Sequence, residues 1–278
     1  MTSDDLFWIK IAFAGAVAVV GLASTYVPWV LGRRASSERM LGLSNTFAAG
    51  VLGGAGVIHL LGAGIGAFHT ALPTFAYPLA LLLAGVGFLF ILLIEDVIVP
   101  GHPGHDASPP QENSAAVQHE MDWHPAGQGS AIYPVILLIV LSVHSVILGL
   151  ALGAQSALSG ALIVFLAILA HKGAAGLALG VGFQRAGLTH RQALGRLTFF
   201  SVMTPLGIIA GAAIGGMLTG RADTLFEAVF DSIGAGTFMY IAALDIIKTE
   251  FDHHRDHAQK WLAAAAGFGI MALLAIWI

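Results

Sequence analysis

The 278-residue sequence contains no cysteine. Disulfide bonds and thiolate metal sites are therefore excluded, so any metal chemistry must use histidine, carboxylate or amide side chains. Charge is also scarce: charged residues make up 10% of the chain, against roughly 25% in soluble domains. With 57% hydrophobic residues, this composition predicts an integral membrane protein whose main partner is the lipid bilayer. The net charge of −4 offers no basic face for nucleic acid.

Eight apolar runs have about the length that a membrane-spanning helix needs, which is roughly 20 residues. They cover residues 7–31, 41–62, 76–99, 131–153, 157–183, 193–218, 225–248 and 259–278. The acidic start at Asp4 and Asp5 is unlike the basic start of a signal peptide, so we expect the first run to be retained. The runs predict one all-α domain over 1–278, a polytopic bundle of eight transmembrane helices.

Basic residues are distributed unevenly among the loops between these runs. The second and fourth loops have no charge, and the sixth has Arg221 as its one basic residue. The first, fifth and seventh loops are basic; they contain Arg33, Arg34, Arg39, Arg185, Arg191, Arg196, Lys248, Arg255 and Lys260. Because basic loops stay in the cytoplasm, this pattern predicts cytoplasmic odd-numbered loops and both termini outside. We expect the protein in the plasma or inner membrane.

Histidines are concentrated in two of the loops predicted to be cytoplasmic. The third loop, at about 100–130, is polar and rich in Pro, Gly and Ser, which indicates a flexible segment. Two interpretations remain open: polar linkers with chance histidines, or weak capture of a metal leaving the membrane. The histidines are His102, His105, His119 and His124 in the third loop, and His253, His254 and His257 in the seventh.

A motif occurs twice, in the fourth and fifth apolar runs. Both His144 and His171 begin the pattern H-x-x-x-x-G-L-A-L-G, and both lie near the middle of their runs. The connection between the runs is short, so the two helices should be antiparallel neighbours with their imidazoles at matching depth. Neutral imidazole suits zinc-class metals, although a histidine inside a membrane can also simply bind a neighbouring helix. His59 in the second run is a third candidate.

Other ionisable residues lie within or near the ends of the apolar runs. Lys172 follows His171 directly, and a lysine inside the bilayer must pair, reach the interface or lose its proton. Asp231 lies near the predicted outer end of the seventh run and Asp245 near its inner end. Glu95 and Asp96 lie near the predicted inner end of the third run. These acidic residues are either anchors at the membrane interface or groups that line the two mouths of a metal path past the histidines.

Six motifs in sequence order resemble those of the ZIP family (Zrt/Irt-like metal-ion transporters), in the subgroup with His-Lys in the fifth helix. The similarity spans nearly the whole chain. The motifs are FAAGV at 47–51 with His59; YPLA, GVGF and LLIE at 77–80, 85–88 and 92–95; His144-Ser145 with GLALG at 149–153; His171-Lys172-Gly173; FSVMTPLG at 200–207; and AGTFMY at 235–240 with Asp245 and Glu250.

This resemblance implies an eight-helix fold with a metal site between the fourth and fifth helices. His144 and His171 match the central ligands of the family, and His59 matches a position on the approach to them. Lys172 stands where a binuclear member has an aspartate, so its charge would replace the second metal. For a protonated lysine to do so, a carbonyl or a hydroxyl such as that of Ser145 must accept its protons.

Three carboxylates of the family pattern are absent from this chain. Leu148, Ala175 and Ala63 occupy their positions. The central site is therefore expected to keep its imidazoles and to lack anionic ligands.

The function predicted from these features is that of a divalent-metal permease rather than an enzyme. It would move zinc-class ions toward the cytoplasm, with the ion as substrate and without a cofactor. A homodimer with a second copy of the chain is also considered. Two alternatives remain open: a transporter-like metal sensor, and an intramembrane zinc-dependent hydrolase, which would need a general base beside its metal.

Overall fold

A computed structural model describes residues 3–31, 37–98, 132–214, 220–252 and 256–276. Within these ranges the secondary structure is entirely helical, with short turns between elements. The helices of these described ranges form eight continuous rods: α1 (Ser3–Leu31), α2 (37–71), α3 (79–98), α4 (Ile132–Ala154), α5 (Leu158–Arg185), α6 (His190–Ile214), α7 (221–252) and α8 (His257–Leu274). The all-α prediction is confirmed for the described part of the chain.

Among the described residues, six helices are long and apolar enough to cross a membrane, and a shorter apolar helix covers Leu79–Glu95. Large apolar side chains point outward along these helices, for example Leu89 and Phe90 on α3. Lipid is the solvent that favours such a surface. The polytopic membrane architecture is therefore confirmed, whereas eight crossings and outward termini stay predictions. The last rod, α8, begins with the polar residues His257, Gln259 and Lys260.

The rods form two groups of four, according to which helices pack most extensively. In the first group α4 packs on α6, and α1 packs on both α5 and α6. In the second group α2 packs on α8 and α7, and α3 packs on α7. The two groups meet mainly where α5 crosses α2. We call them the α1–α4–α5–α6 group and the α2–α3–α7–α8 group.

Glycines bring backbones into contact inside each group. A Cβ atom added to Gly149 or Gly207 would collide with the facing backbone in the α4–α6 pair. The same is true of Gly50 against α8 and Gly236 against α3. Among the glycines of the described ranges, each collision of this kind with the backbone of another helix occurs between two helices of the same group. Since small residues allow close backbone packing, each group is tightly assembled.

Three helices of the second group contain π-helical turns. These turns are Ala55–Leu60 in α2, Leu93–Ile98 in α3 and Ile241–Ile247 in α7. A π-turn inserts an extra residue and changes the direction of the side chains around it, often at functional sites. His59 lies in the first turn, Glu95 and Asp96 in the second, and Asp245 in the third.

Candidate metal site

The two repeated-motif histidines face each other at the centre of the molecule. His144 on α4 and His171 on α5 have ring centroids 5.8 Å apart, and both side chains are buried. Nε2 of His144 and Nδ1 of His171 have no hydrogen-bond partner among the described residues. A buried polar atom without a partner is costly, so each ring offers a nitrogen that a cation could bind.

His59 reaches the same place from the other helix group. Its ring centroid lies 6.2 Å from that of His171, and the side chain is partly buried. Zinc–imidazole bonds are about 2.0–2.1 Å long, so two rings on one tetrahedral ion would have centroids about 5 Å apart. Both observed separations, 5.8 and 6.2 Å, are larger than this. The rings of His59 and His144 thus both lie beside that of His171, while a shared metal site for the three histidines stays a prediction.

Lys172 is buried beside these histidines, and its side-chain nitrogen has three hydrogen-bond acceptors. Its Nζ donates to Ser145 Oγ at 2.9 Å, to the Phe200 carbonyl at 3.0 Å and to Thr204 Oγ1 at 3.1 Å. The ammonium also lies 3.6 Å from the centroid of the Phe200 ring. An ammonium has three protons, so each has an acceptor. The geometry places an amine, with an acceptor for each proton of its charged form, one residue from His171.

Apolar, buried side chains occupy two of the positions at which this chain lacks the family's carboxylates. Leu148 and Ala175 are buried in the core. Within the ranges that the structure describes, no three His, Cys, Asp or Glu side chains lie close enough to bind one metal ion together. The central donors are therefore neutral imidazoles, with no carboxylate added to them.

The acidic residues predicted along the path lie outside the histidine centre. Glu95 is buried on α3, while Asp231 and Asp245 are partly buried on α7. Asp96 lies on α3, but its side chain is outside the described structure. His257 is exposed at the start of α8, with its ring 5.5 Å from that of Phe251. The 100–130 loop with His102, His105, His119 and His124, and also His253 and His254, lie outside the described residues.

Two neighbours of the centre were not expected from the sequence. Phe238 of α7 packs edge-on against His144, with ring centroids 4.9 Å apart. One turn earlier, an added Cβ on Gly234 would lie 3.8 Å from His144 Nδ1. Both belong to the α2–α3–α7–α8 group, and no local motif links them to α4. Only the packing of the two groups places them beside the histidine.

Long apolar helices around buried imidazoles and an ammonium define a polytopic helical membrane protein with a polar centre. The family described as ZIP Zinc transporter matches residues 99–275, which is more than half of the chain. The chain belongs to the ZIP zinc transporter family, so the resemblance inferred from the motifs is confirmed. Members of this family are transporters, and the chain is accordingly a membrane transporter and not an enzyme.

Similar proteins cover nearly the full length of the chain. Zinc transporter ZIP2 of Mus musculus is 28% identical over 99% of this chain and 99% of its own. Zinc transporter ZIP2 of Homo sapiens has the same identity and coverage. Zinc transporter ZIP1 of Homo sapiens is 30% identical over 95% of this chain and 89% of its own. The alignments therefore include the first three helices, which precede the family match.

Proposed function

We propose that this transporter carries zinc-class divalent metal ions toward the cytoplasm through a histidine site between α4 and α5. The observation that carries the proposal is the facing pair His144 and His171, both buried, each with a ring nitrogen that has no hydrogen-bond partner in the part of the chain that the structure describes. Borderline divalent metals such as zinc bind imidazole nitrogen well, whereas magnesium and calcium prefer oxygen. The ZIP1 and ZIP2 relatives reported above are named zinc transporters, which supports zinc as the substrate.

His59 is the third ligand in this proposal, supplied by the other helix group. Its ring lies 6.2 Å from that of His171. An ion held by His144 and His171 would gain a ligand when the groups approach and lose it when they separate. Binding and movement would thus be linked through one side chain.

Lys172 takes the place of a second metal ion. Two divalent ions a few ångströms apart repel each other strongly unless anionic ligands lie between them. Leu148 and Ala175 supply no such ligand, and the Lys172 ammonium already holds Ser145 and Thr204. The site is therefore suited to one divalent ion.

The acidic residues would line the rest of the path. Asp231 would gather the ion near the outer mouth, and Glu95, Asp96 and Asp245 would receive it near the inner mouth. The loop histidines would bind it weakly beyond that point. Both termini would then lie outside the plasma or inner membrane.

Movement of one helix group against the other would expose the site to each side in turn. Close glycine contacts hold each group together internally. Contacts between the groups are less extensive in total than those within them, and the contact of α5 with α2 is the largest of them. Transporters built from repeated helix groups use such rigid movements around a fixed site.

A metal sensor is the second candidate, because the centre lacks the carboxylates that would hold a divalent ion firmly. Zinc flux separates the two functions. Purified protein in liposomes that contain a zinc-sensitive dye should produce a dye signal when zinc is added outside, and protein-free liposomes should not. Zinc binding to the reconstituted protein without any dye signal would favour the sensor and overturn the transport proposal.

A further inference from the structure

A buried carboxylate lies near the end of α7, far from the histidine centre. Glu250 is 4% exposed. Its Oε1 accepts hydrogen bonds from Asn45 Nδ2 at 2.9 Å and from Arg185 Nη2 at 2.6 Å. Lys260 Nζ lies 3.4 Å from Oε2 and also donates to the Glu250 carbonyl. One buried anion thus meets two cations and an amide.

The partners of Glu250 come from different helix groups. Asn45 on α2 and Lys260 on α8 belong to the same group as Glu250. Arg185 is the last residue of α5 and belongs to the other group. The ion pairs Arg39–Asp256 and Lys260–Glu250 stay within one group, whereas Arg185–Glu250 crosses between the two.

The crossing pair can break without leaving a buried charge alone. Glu250 would keep Lys260 and Asn45 after Arg185 leaves, so it would avoid the large penalty of an unpaired buried ion. The Arg185 side chain is already 41% exposed, and water can replace its lost partner. These features suit a contact that forms and breaks repeatedly.

Arg185 and His171 are fourteen residues apart on one helix, which places them about 21 Å apart along the axis of α5. Arg185 is at the end of the molecule that the basic loops predict to be cytoplasmic. Ala178 lies halfway between them and is buried in a core cluster that contains residues of both groups. A contact at Arg185 therefore closes the group interface on one side of the histidine site.

We propose that the Arg185–Glu250 ion pair is a latch that holds the two helix groups together at this end and opens when metal leaves. The proposal rests on the relative movement of the groups described above. It predicts that weakening the latch shifts the resting protein toward the conformation open at the Arg185 end. Water should then reach Ala178 more often, while the opposite half of α5 stays closed.

Cysteine labelling tests the latch directly, because the natural chain has no cysteine. Ala178→Cys reports on the latch side of His171, and the equally buried Ala167→Cys reports on the other side. Both are labelled in nanodiscs with a soluble maleimide, alone and combined with Arg185→Gln. A half-exposed ion pair contributes up to about 1 kcal/mol, so the Ala178→Cys labelling rate should rise about three- to five-fold.

Two control variants test whether the change in labelling is specific to the Arg185–Glu250 ion pair. Arg191→Gln removes the same charge from an exposed residue nearby and should leave labelling unchanged. Arg185→Lys keeps the charge and should restore most of the protection. Unchanged labelling of Ala178→Cys in Arg185→Gln would overturn the latch, as would an equal rise in Arg191→Gln or at Ala167→Cys.

The labelling does not depend on metal flux, so failures of the two proposals are distinguishable. Absence of zinc flux in the natural protein would overturn the transport proposal. Intact flux with unchanged labelling in Arg185→Gln would overturn the latch alone. Thermal unfolding of each variant confirms that the protein is folded.

Discussion

His144 and His171 show how much a local pattern can predict at the scale of single residues. The repeated motif predicts equal depth in neighbouring antiparallel helices, and the rings do lie 5.8 Å apart. The motif also predicts small residues beside them, and Gly149 packs against α6 as a result. Phe238 and Gly234 could not be predicted in this way, because they reach His144 from a helix about ninety residues later in the chain.

The hydrogen-bonded position of the Lys172 side chain leads to a prediction of metal stoichiometry. A variant with the seven loop histidines replaced by serine should bind one zinc ion per chain at saturation. Combining that variant with Lys172→Asp and Ala175→Glu should raise the number to two, because anionic ligands offset the repulsion between ions. Equilibrium dialysis with elemental analysis measures both values. Two ions bound before the lysine is changed would contradict the role assigned to Lys172.

At the scale of helices, hydropathy predicts the rods well but not their internal irregularities. The apolar runs overlap all eight rods, yet α2 continues to Ala71, well beyond the predicted end at 62. The run ends there in sequence because Gly62, Gly64 and Gly66 dilute its hydropathy, while the backbone stays helical. Hydropathy does not predict the π-turns that contain His59, Glu95 and Asp245, because an inserted residue leaves an apolar run unchanged.

The glycine contacts between α4 and α6 predict a clear difference between two substitutions on one helix. Gly207→Ala should destabilise the protein by about 1–3 kcal/mol, because its Cβ would collide with α4. Gly195→Ala meets open space and should be neutral or stabilising by about 1 kcal/mol through helix propensity. Thermal unfolding in detergent measures both. Equal melting temperatures would show that α4 and α6 are not closely packed.

The histidine-containing loops should affect the rate of zinc transport without forming the main transport path. Replacing His102, His105, His119, His124, His253, His254 and His257 with serine should change the rate less than about threefold, because weak surface ligands affect local concentration more than the barrier. Zinc uptake into liposomes at several zinc concentrations checks this. Complete loss of flux in a folded variant would place these residues on the main path.

At the scale of the whole molecule, the sequence predicts membrane insertion and orientation but not the division into two groups. That division arises from which glycine faces which backbone across long stretches of sequence. Both groups combine helices that are distant in the chain, such as α1 with α6 and α2 with α8. The pairing is therefore a property of tertiary packing, and it is what makes Arg185–Glu250 a contact between groups.

The predicted orientation can be tested with exposed positions at opposite ends of the molecule. Asp4→Cys lies at the start of α1 and Arg191→Cys at the start of α6, and both natural residues are exposed. In intact cells a membrane-impermeant maleimide should label Asp4→Cys and leave Arg191→Cys unlabelled. Inside-out vesicles should give the reverse pattern. The same labelling side for both positions would contradict outward termini.

The central claim is that metal crosses the membrane through His144 and His171, and zinc uptake by liposomes tests it most directly. His144→Ala and His171→Ala should each lower uptake about tenfold or more, since losing one ligand should cost at least about 1.4 kcal/mol. His69→Ala changes an exposed histidine on α2 and should transport like the natural protein. Uptake near the natural rate in both folded variants would contradict the account.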